Sequence, residues 1–404
     1  MRQTDIAIAG GGLAGSLAAA MLGRAGIDSV LIDPHPVYPA DFRCEKLDLV
    51  QLRTLQQTGV ADAVLRASTP DNQCWVARGG RHLDSVPGEH QRGILYDNLV
   101  NTVRSQIPAA TELIPSKVSD IAPGPERQIV TLANGEEISA RLVVISTGLN
   151  VGLQHKLGIS RRIISPAHSI SIGFDIEPVG RAVFPFSALT YFNERPRNRM
   201  AYLTAFPIGT TMRVNLFGYR DLSDPWLKAL REAPRDTLFA LWPGLRKLTG
   251  DFTVPGFIKI RPVDLYVSEG HRQDGIVMVG DAFATSCPAA GTGARKVLID
   301  VERLCNVHIP HWLATPGMRD SKIASFYADP VKQACDALSA RKAFQLRSCS
   351  INQGPRWTAM RFAKFVYQFA KGMTRPSVAA PASAVDEDDT EHAPTLAQST
   401  GAQK

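Results

Sequence analysis

The 404 residues include only six cysteines, with no C-x-x-C pair and no metal-like spacing among Cys44, Cys74, Cys287, Cys305, Cys335 and Cys349. Neither a zinc scaffold nor a dithiol redox pair is encoded, no metal is expected, and free, mostly buried thiols in a reducing compartment are the expectation. No apolar run reaches the eighteen or so residues of a membrane span. An apolar strand already starts at Ile6, which leaves no stretch for a signal peptide, so a soluble, cytoplasmic-type protein is expected. Charge is modest, at a net +7 and a pI near 9.1. That balance suits an anionic substrate or surface but is too mild for nucleic acid, and helix-turn-helix, zinc-finger and RNP-type signatures are absent. With 44% hydrophobic residues the chain can bury a core large enough for two domains and appendages.

The segment from Ile6 to Asp33 reads IAIAGGGLAGSLAAAMLGRAGIDSVLID. Ile6–Ala9 and Val30–Ile32 have the length and character of buried parallel strands. Between them, Leu17 to Arg24 is rich in alanine and leucine, with a glycine stop at Gly26, and reads as a helix. The glycines at the turn fall as Gly10-x-Gly12-x-x-Gly15. Gly10 permits the tight turn, Gly12 lets backbone approach a pyrophosphate, and Gly15 lets the helix pack on the strand; Leu13 and Ala14 supply helix-start N–H groups for the phosphate charge. Asp33 ends the second strand, placed to accept hydrogen bonds from an adenosine ribose. The whole unit is an adenine-dinucleotide site. No second GxGxxG unit follows, which argues against a separate NAD(P)H domain.

After a proline-rich turn, Phe42 to Leu65 carries Leu47, Val50, Leu55, Val60 and Val64 at helical spacing, with a break at Gly59. Residues 74 to 95 read as a small strand pair around a Gly-Gly turn, followed by a helix from Tyr96 to Gln106. Lys117–Ile121 and Gln128–Leu132 read as strands with an Asn134-Gly135 hairpin signal, and Ile138–Ile145 as a buried strand. From Pro166 to Pro262 the composition shifts to aromatic and β-branched residues with many turns, which predicts antiparallel strands interrupted by a helical stretch at Pro225 to Trp242. Tyr191, Tyr202 and Arg213 are the polar or aromatic strand residues singled out as candidates to face a substrate. Tyr219 is a strand residue of the same kind, and His168 is read as structural. Gly275 to Leu304 returns to the nucleotide-domain pattern: a buried strand at Ile276–Val279, then Gly280-Asp281, then Gly291-x-Gly293 opening a helix. Residues 311 to 350 look helical. Trp357 to Lys371 sets Arg361, Lys364, Gln368 and Lys371 opposite a broad face of Phe362, Phe365, Val366 and Phe369. The last stretch, rich in Ala, Pro and Ser and then acidic from Asp386 to Glu391, is expected to be disordered.

The run from Arg43 to Val60 resembles the R-G-E-L-L-Q-P-x-x-x-x-x-L-x-x-L-G-L stretch of the ubiquinone-hydroxylase and squalene-epoxidase branch of flavin monooxygenases. Arg43, Glu45 and the Thr58-Gly59-Val60 turn align without gaps, while Cys44 and Asp48 depart from the usual glycine and glutamine. Gly280, Asp281, Pro288, Gly291, Gly293 and Asp300 keep every offset of the family's second motif, G-D-A-A-H-x-x-x-P-x-x-G-x-G-x-N-x-x-x-x-D, with Ala284 and Arg295 replacing its histidine and asparagine. The chain thus resembles the aromatic and ubiquinone hydroxylases of the p-hydroxybenzoate hydroxylase type. The resemblance implies an α/β fold: a Rossmann-like FAD domain (1–165 and 265–310, with a small strand insertion near 74–95), an inserted antiparallel substrate domain (166–264), C-terminal helices (311–373) and a tail (374–404).

The cofactor implied is FAD. By resemblance, Arg43 lies along its ribityl and pyrophosphate, the backbone at Val118 meets the adenine, and Asp281 accepts from a ribityl hydroxyl. Gly291, Thr292, Gly293 and Ala294 present helix-start N–H groups to the pyrimidine edge, which stabilises the charge of reduced flavin. Pro288 borders the position of a C4a-hydroperoxide.

The implied activity is insertion of one oxygen atom from O2 into a small, aromatic or anionic organic substrate, with NADPH or NADH as donor. No side chain declares itself as catalytic acid or base. Where the family reads A-D-G after the Ile145 strand this chain reads Ser146-Thr147-Gly148, which opens the alternative of electrons from a partner flavin reductase. A FAD-dependent isoprenoid reductase or cyclase remains an alternative, as does a flavin-binding protein without turnover; the absence of a W-x-W-x-I-P segment argues against a halogenase. A homodimer and a peripheral membrane contact through 357–371 complete the partner expectations.

Overall fold

The computed structural model describes residues 1–87 and 91–374, so the tail expected from residue 375 onward lies outside the described residues. Its centre is a seven-stranded sheet. Arg2–Ala9 lies between Ser29–Ile32 and Glu137–Ile145, parallel to both, and Glu112–Ile114 extends the parallel part beyond Ser29–Ile32. On its far side Glu137–Ile145 pairs along its first half with the antiparallel strand Gln128–Leu132 and along its second half with the parallel strand Ile276–Met278. That division of one strand brings the two glycine motifs, remote in sequence, to the same sheet end. Ile6, Ile8, Leu17, Leu22, Leu31, Val143 and Val277 are fully buried in the associated core, each contributing about 2 kcal/mol through area removed from water.

The second sheet has eight strands, ordered Phe252–Thr253, Ser160–Pro178, Thr211–Gly218, Met200–Ile208, Ala188–Phe192, Gln73–Arg78 and Arg81–Pro87, with Lys259–Glu269 paired to Ser160–Pro178. Ser160–Pro178 and Lys259–Glu269 run antiparallel along nearly their whole length, and so carry the chain out of the nucleotide part and back. Strand alternation sends one set of side chains, including Ile172, Phe174, Leu189, Leu203 and Leu216, against the helices Pro225–Glu232, Pro234–Leu241 and Leu245–Thr249. The other set faces the nucleotide part.

Three expectations change. The helical reading from Phe42 fails at its start: Cys44–Leu47 is a strand, bonded to Arg92–Leu95, and the helix begins at Leu49 behind an Asp48 capping box with Gln51 and ends on left-handed Gly59. The pair near 74–95 is no separate insertion in the nucleotide part. Gln73–Arg78 runs parallel to Ala188–Phe192 and so belongs, with Arg81–Pro87, to the eight-stranded sheet. The helical stretch at 225–242 is two helices, broken by Ala233-Pro234. All six cysteines are free and buried. No helix among the described residues is long and apolar enough to cross a membrane.

Candidate functional site

The Gly10 turn is shaped by contact on one side and space on the other. Gly10 has φ 103°, and a Cβ there would stand 2.8 Å from the Ser146 carbonyl oxygen, so only glycine fits. A Cβ at Gly15 would lie 1.9 Å from the Gly10 carbonyl oxygen, whereas one at Gly12 would meet nothing closer than the Tyr96 hydroxyl at 3.8 Å. The helix Leu13–Arg24 has no side-chain cap from Gly12, which leaves the Ala14 N–H at that space. The Tyr96 hydroxyl reaches in toward the Leu13 N–H. An open, glycine-floored cradle at an uncapped helix start fits a pyrophosphate.

Asp33 is buried, and its carboxylate accepts from Gly11 N–H at 2.6 Å and His35 N–H at 2.9 Å. Arg104, which sequence reasoning missed, stands 3.3 Å from the same carboxylate and donates to the Gly11 and Pro36 carbonyls. Nothing local marks Arg104, a basic residue in the last turn of Tyr96–Arg104. Val118 lies four residues beyond Ile114, whose carbonyl accepts from the Asp33 N–H at 3.1 Å, and is half-buried at the irregular end of its strand.

Arg43 lies over the Tyr96 ring at 3.9 Å, donates to Tyr38 at 3.1 Å and pairs with Asp41. Burial works against its charge, but the Asp41 hydrogen bond and the neighbouring Tyr96, Asp41 and Tyr38 hold it above the ordinary arginine value. Glu45 and Asp281 come together beside it. Burial pushes Glu45 up to about 7, with Arg43 pulling it down and Asp281 pushing it up. Burial also raises Asp281, against the pull of Lys296, Arg43, Arg261 and Arg161. Residues 43, 45 and 281 therefore form one electrostatic cluster between the two glycine motifs, built by the Cys44–Leu47 strand on one side and the Gly280–Ala282 turn on the other.

At the second motif, Gly291 is left-handed at φ 64° with nothing within 4 Å of where a Cβ would stand, and Gly293 meets only Ser286 Cβ at 4.0 Å. The helix Gly293–Arg303 starts without a side-chain cap, because the Thr292 hydroxyl is engaged with Ser339 at 2.7 Å. Its first N–H groups, Ala294 among them, lack a side-chain cap beside the exposed Gly291 turn, as a flavin edge requires. Behind the motif, Asp300 accepts from Gly280 N–H at 3.0 Å and pairs with Lys332 at 2.8 Å. Lys332 also reaches Asp336, and Asp336 reaches Lys296 at 3.0 Å. Nothing in the local sequence marks Lys296 or Lys332 for this role. Arg295 lies instead along a small groove with Val331, Cys335 and Leu338.

The substrate candidates separate by strand face. Tyr202 lies on the nucleotide-facing side, donating to the Ala289 carbonyl at 2.6 Å beside Pro288, with its ring 5.1 Å from Phe217. Tyr191 does not: it is fully buried against Trp242 on the helix-covered side, bonded to Gly80 N–H and Glu194. Arg213 faces inward but is engaged by Asp175 at 2.6 Å and the Phe42 carbonyl at 2.8 Å. Cys44 donates to Asn215 Oδ1 at 3.3 Å, its thiol pushed up to about 12 by burial. Lys46 pairs with fully buried Asp71 at 2.7 Å. Tyr219 and His168 stand edge to face near Arg347 in a buried cluster. At the departing turn, Ser146 Oγ donates to the Gly10 carbonyl at 2.7 Å and Thr147 Oγ1 to Asn150 O at 3.3 Å.

Residues 3–307 match the family described as FAD binding domain. The ubiquinone hydroxylase UbiL of Rhodospirillum rubrum is 29% identical over 177 residues, covering 40% of this chain and 41% of that protein, so the match spans about two fifths of the curated relative. Among solved structures, p-nitrophenol 4-monooxygenase PnpA from Pseudomonas putida superposes with a TM-score of 0.73 at 15% identity, covering 93% of this chain and 95% of that one. The halogenase PltM gives 0.66 at 14% identity over 86% and 77% of the two chains. At such identities the likeness is one of fold.

Proposed function

This chain belongs to the FAD binding domain family, and from that premise we propose that it is a flavoprotein monooxygenase acting on a small aromatic compound. The observation that carries the reading is the convergence of two open glycine-floored helix starts, at Gly12 and Gly291, on the Arg43–Glu45–Asp281 cluster beneath an aromatic and polar sheet face. FAD, when bound and reduced, supplies the electrons with which O2 is split, one oxygen going to the substrate and the other to water.

The residues of the chain bind and orient. Gly12, Leu13 and Ala14 hold the pyrophosphate, Asp33 the ribose, and Arg43 and Asp281 the ribityl chain. The N–H groups after Gly291 stabilise negative charge on the ring system, a preorganised electrostatic contribution. Tyr202 and Phe217 give a flat substrate its apolar wall beside Pro288, with Asn215 and Thr204 on the same sheet face. Glu45, poised near neutrality, can hold or release a proton beside Arg43.

The donor is proposed to be a partner flavin reductase rather than NADPH or NADH bound directly. Support comes from the Ser146–Thr147 turn, whose hydroxyls are engaged by the Gly10 and Asn150 carbonyls and which offers no carboxylate. The test is turnover of FAD-loaded protein with a panel of phenols under 18O2, with a flavin reductase and NADH or with NADPH alone. One labelled oxygen in the product is expected, with the reductase needed for full rate. Unlabelled product formed without O2 would replace the reading by a reductase or cyclase, and full rate with NADPH alone would remove the partner.

A further inference from the structure

The helix Pro355–Thr374, the turn between Gln73–Arg78 and Arg81–Pro87, and the loop after Phe192 enclose a cleft of about 900 Å3. Five guanidinium groups line it, those of Arg78, Arg81, Arg195, Arg197 and Arg361, against the single carboxylate of Glu194. None of the five forms an ion pair among the described residues. Arg78 donates to the Glu194 backbone carbonyl at 3.3 Å, and Arg361 to the carbonyls of Cys349 at 3.2 Å and Asn352 at 2.8 Å. Neutral acceptors thus fix these two side chains in place, and only the Glu194 carboxylate pulls the other way on Arg78. The Glu194 carboxylate is itself tied to the Tyr191 hydroxyl. Burial, and then the Arg361 charge, hold Arg78 below the ordinary arginine value.

A cleft lined mainly by charge of one sign raises the local concentration of anions. A monocarboxylate would offset one of the guanidinium charges; a phosphate or diphosphate offsets two or more and matches the guanidinium fork through paired hydrogen bonds. The helix side of the cleft adds Gln353 and Thr358 and two aromatic rings. Phe365 is half-buried and Phe362 is 66% exposed, and the exposed stripe continues through Val366 and Phe369 along the same helix face. The volume is in the range of small-molecule sites.

We infer that this cleft is a second binding site, separate from the glycine motifs, for a phosphate- or diphosphate-bearing ligand with an apolar body. The inference does not depend on the flavin chemistry. It is tested on full-length, FAD-loaded protein, in which the pyrophosphate cradle is filled, by calorimetric titration with inorganic pyrophosphate. A second arm measures co-sedimentation with phosphatidylglycerol or phosphatidylcholine vesicles. Saturable pyrophosphate binding is expected, weakened tenfold or more in Arg195→Ala/Arg197→Ala, whose FAD content and circular dichroism stay unchanged because both side chains are exposed. Retention on phosphatidylglycerol alone, competed by pyrophosphate, identifies a lipid headgroup as the source; pyrophosphate binding without retention identifies a soluble phosphate ester. Failure of both probes overturns the site, as does pyrophosphate affinity unaffected by the double substitution. Binding that emerges only when the acidic run Asp386–Glu391 is neutralised also overturns it, since the cleft would then serve the chain's own tail.

Discussion

Two alanine substitutions three residues apart test the proposed division between a glycine that serves the fold and one that serves the cofactor. At Gly15 the added methyl would lie 1.9 Å from the Gly10 carbonyl oxygen and 2.5 Å from Ser146 Oγ. Backbone must move, and overpacking of this kind costs about 1–3 kcal/mol or more. At Gly12 the backbone has φ −70°, open to any residue, and the methyl meets only the Tyr96 hydroxyl at 3.8 Å. Gly12→Ala should therefore leave the apoprotein as stable as the wild type, or up to about 1 kcal/mol more stable through the stiffer unfolded chain. The methyl stands where the pyrophosphate must come, so FAD affinity should fall at least tenfold. At a free FAD concentration of 100 Kd the wild type gains about 2.7 kcal/mol from the ligand, and a tenfold weaker variant gains about 1.4 kcal/mol. Urea unfolding of both variants with and without FAD, together with flavin fluorescence titration, measures both quantities. Equal loss of apoprotein stability in the two variants, or unchanged FAD affinity in Gly12→Ala, would refute the division of roles.

Glu45 should give stability a pH dependence of defined sign. Its folded value of about 7 exceeds its ordinary 4.5, so the folded chain keeps a proton that the unfolded chain has lost, and this group lowers stability as pH rises across that interval. Glu45→Gln should flatten the decline in urea midpoint between pH 5 and 7.5; an unchanged slope would remove Glu45 as its source. Lys332→Met should cost about 3 kcal/mol by leaving Asp300 buried without its cation, and Asp300→Asn in the same chain should restore part of it. A loss below about 1 kcal/mol in Lys332→Met denaturation curves would show that Asp336 and Lys296 reorganise to compensate. Tyr202→Phe removes the bond to Ala289 O and should raise KM severalfold, about 1 kcal/mol, while Tyr191→Phe leaves kcat and KM unchanged. The reverse pattern would mean that substrate lies on the other side of the sheet.

The two glycine motifs were readable because each is local. Ile6 to Asp33 is a strand, turn, helix and strand whose two strands pair with each other, and Ile276 to Asp300 carries its own strand, turn and helix start, with the Gly280 N–H bonded to Asp300. The misreading at Phe42 has the opposite cause. Cys44–Leu47 takes its hydrogen bonds from Arg92–Leu95, nearly fifty residues away, and helical apolar spacing carries no information about such a partner. The same holds for Gln73–Arg78, which becomes part of the eight-stranded sheet through Ala188–Phe192.

What the sequence by itself determined is therefore the two strand-turn-helix units with their glycine turns and the antiparallel character of the region after them, since glycine spacing and hydrophobic period record local backbone requirements. Only the tertiary structure decided which way each strand faces and which charges meet. Tyr191 and Tyr202 differ in sequence by no visible signal, yet the pairing register turns one to the helices and the other to Pro288. The Arg104–Asp33 contact, the Glu45–Asp281 approach and the buried Lys332–Asp300 pair each join segments tens of residues apart or more. Coulombic and desolvation effects depend on distance and burial, and neither quantity exists until the chain has folded.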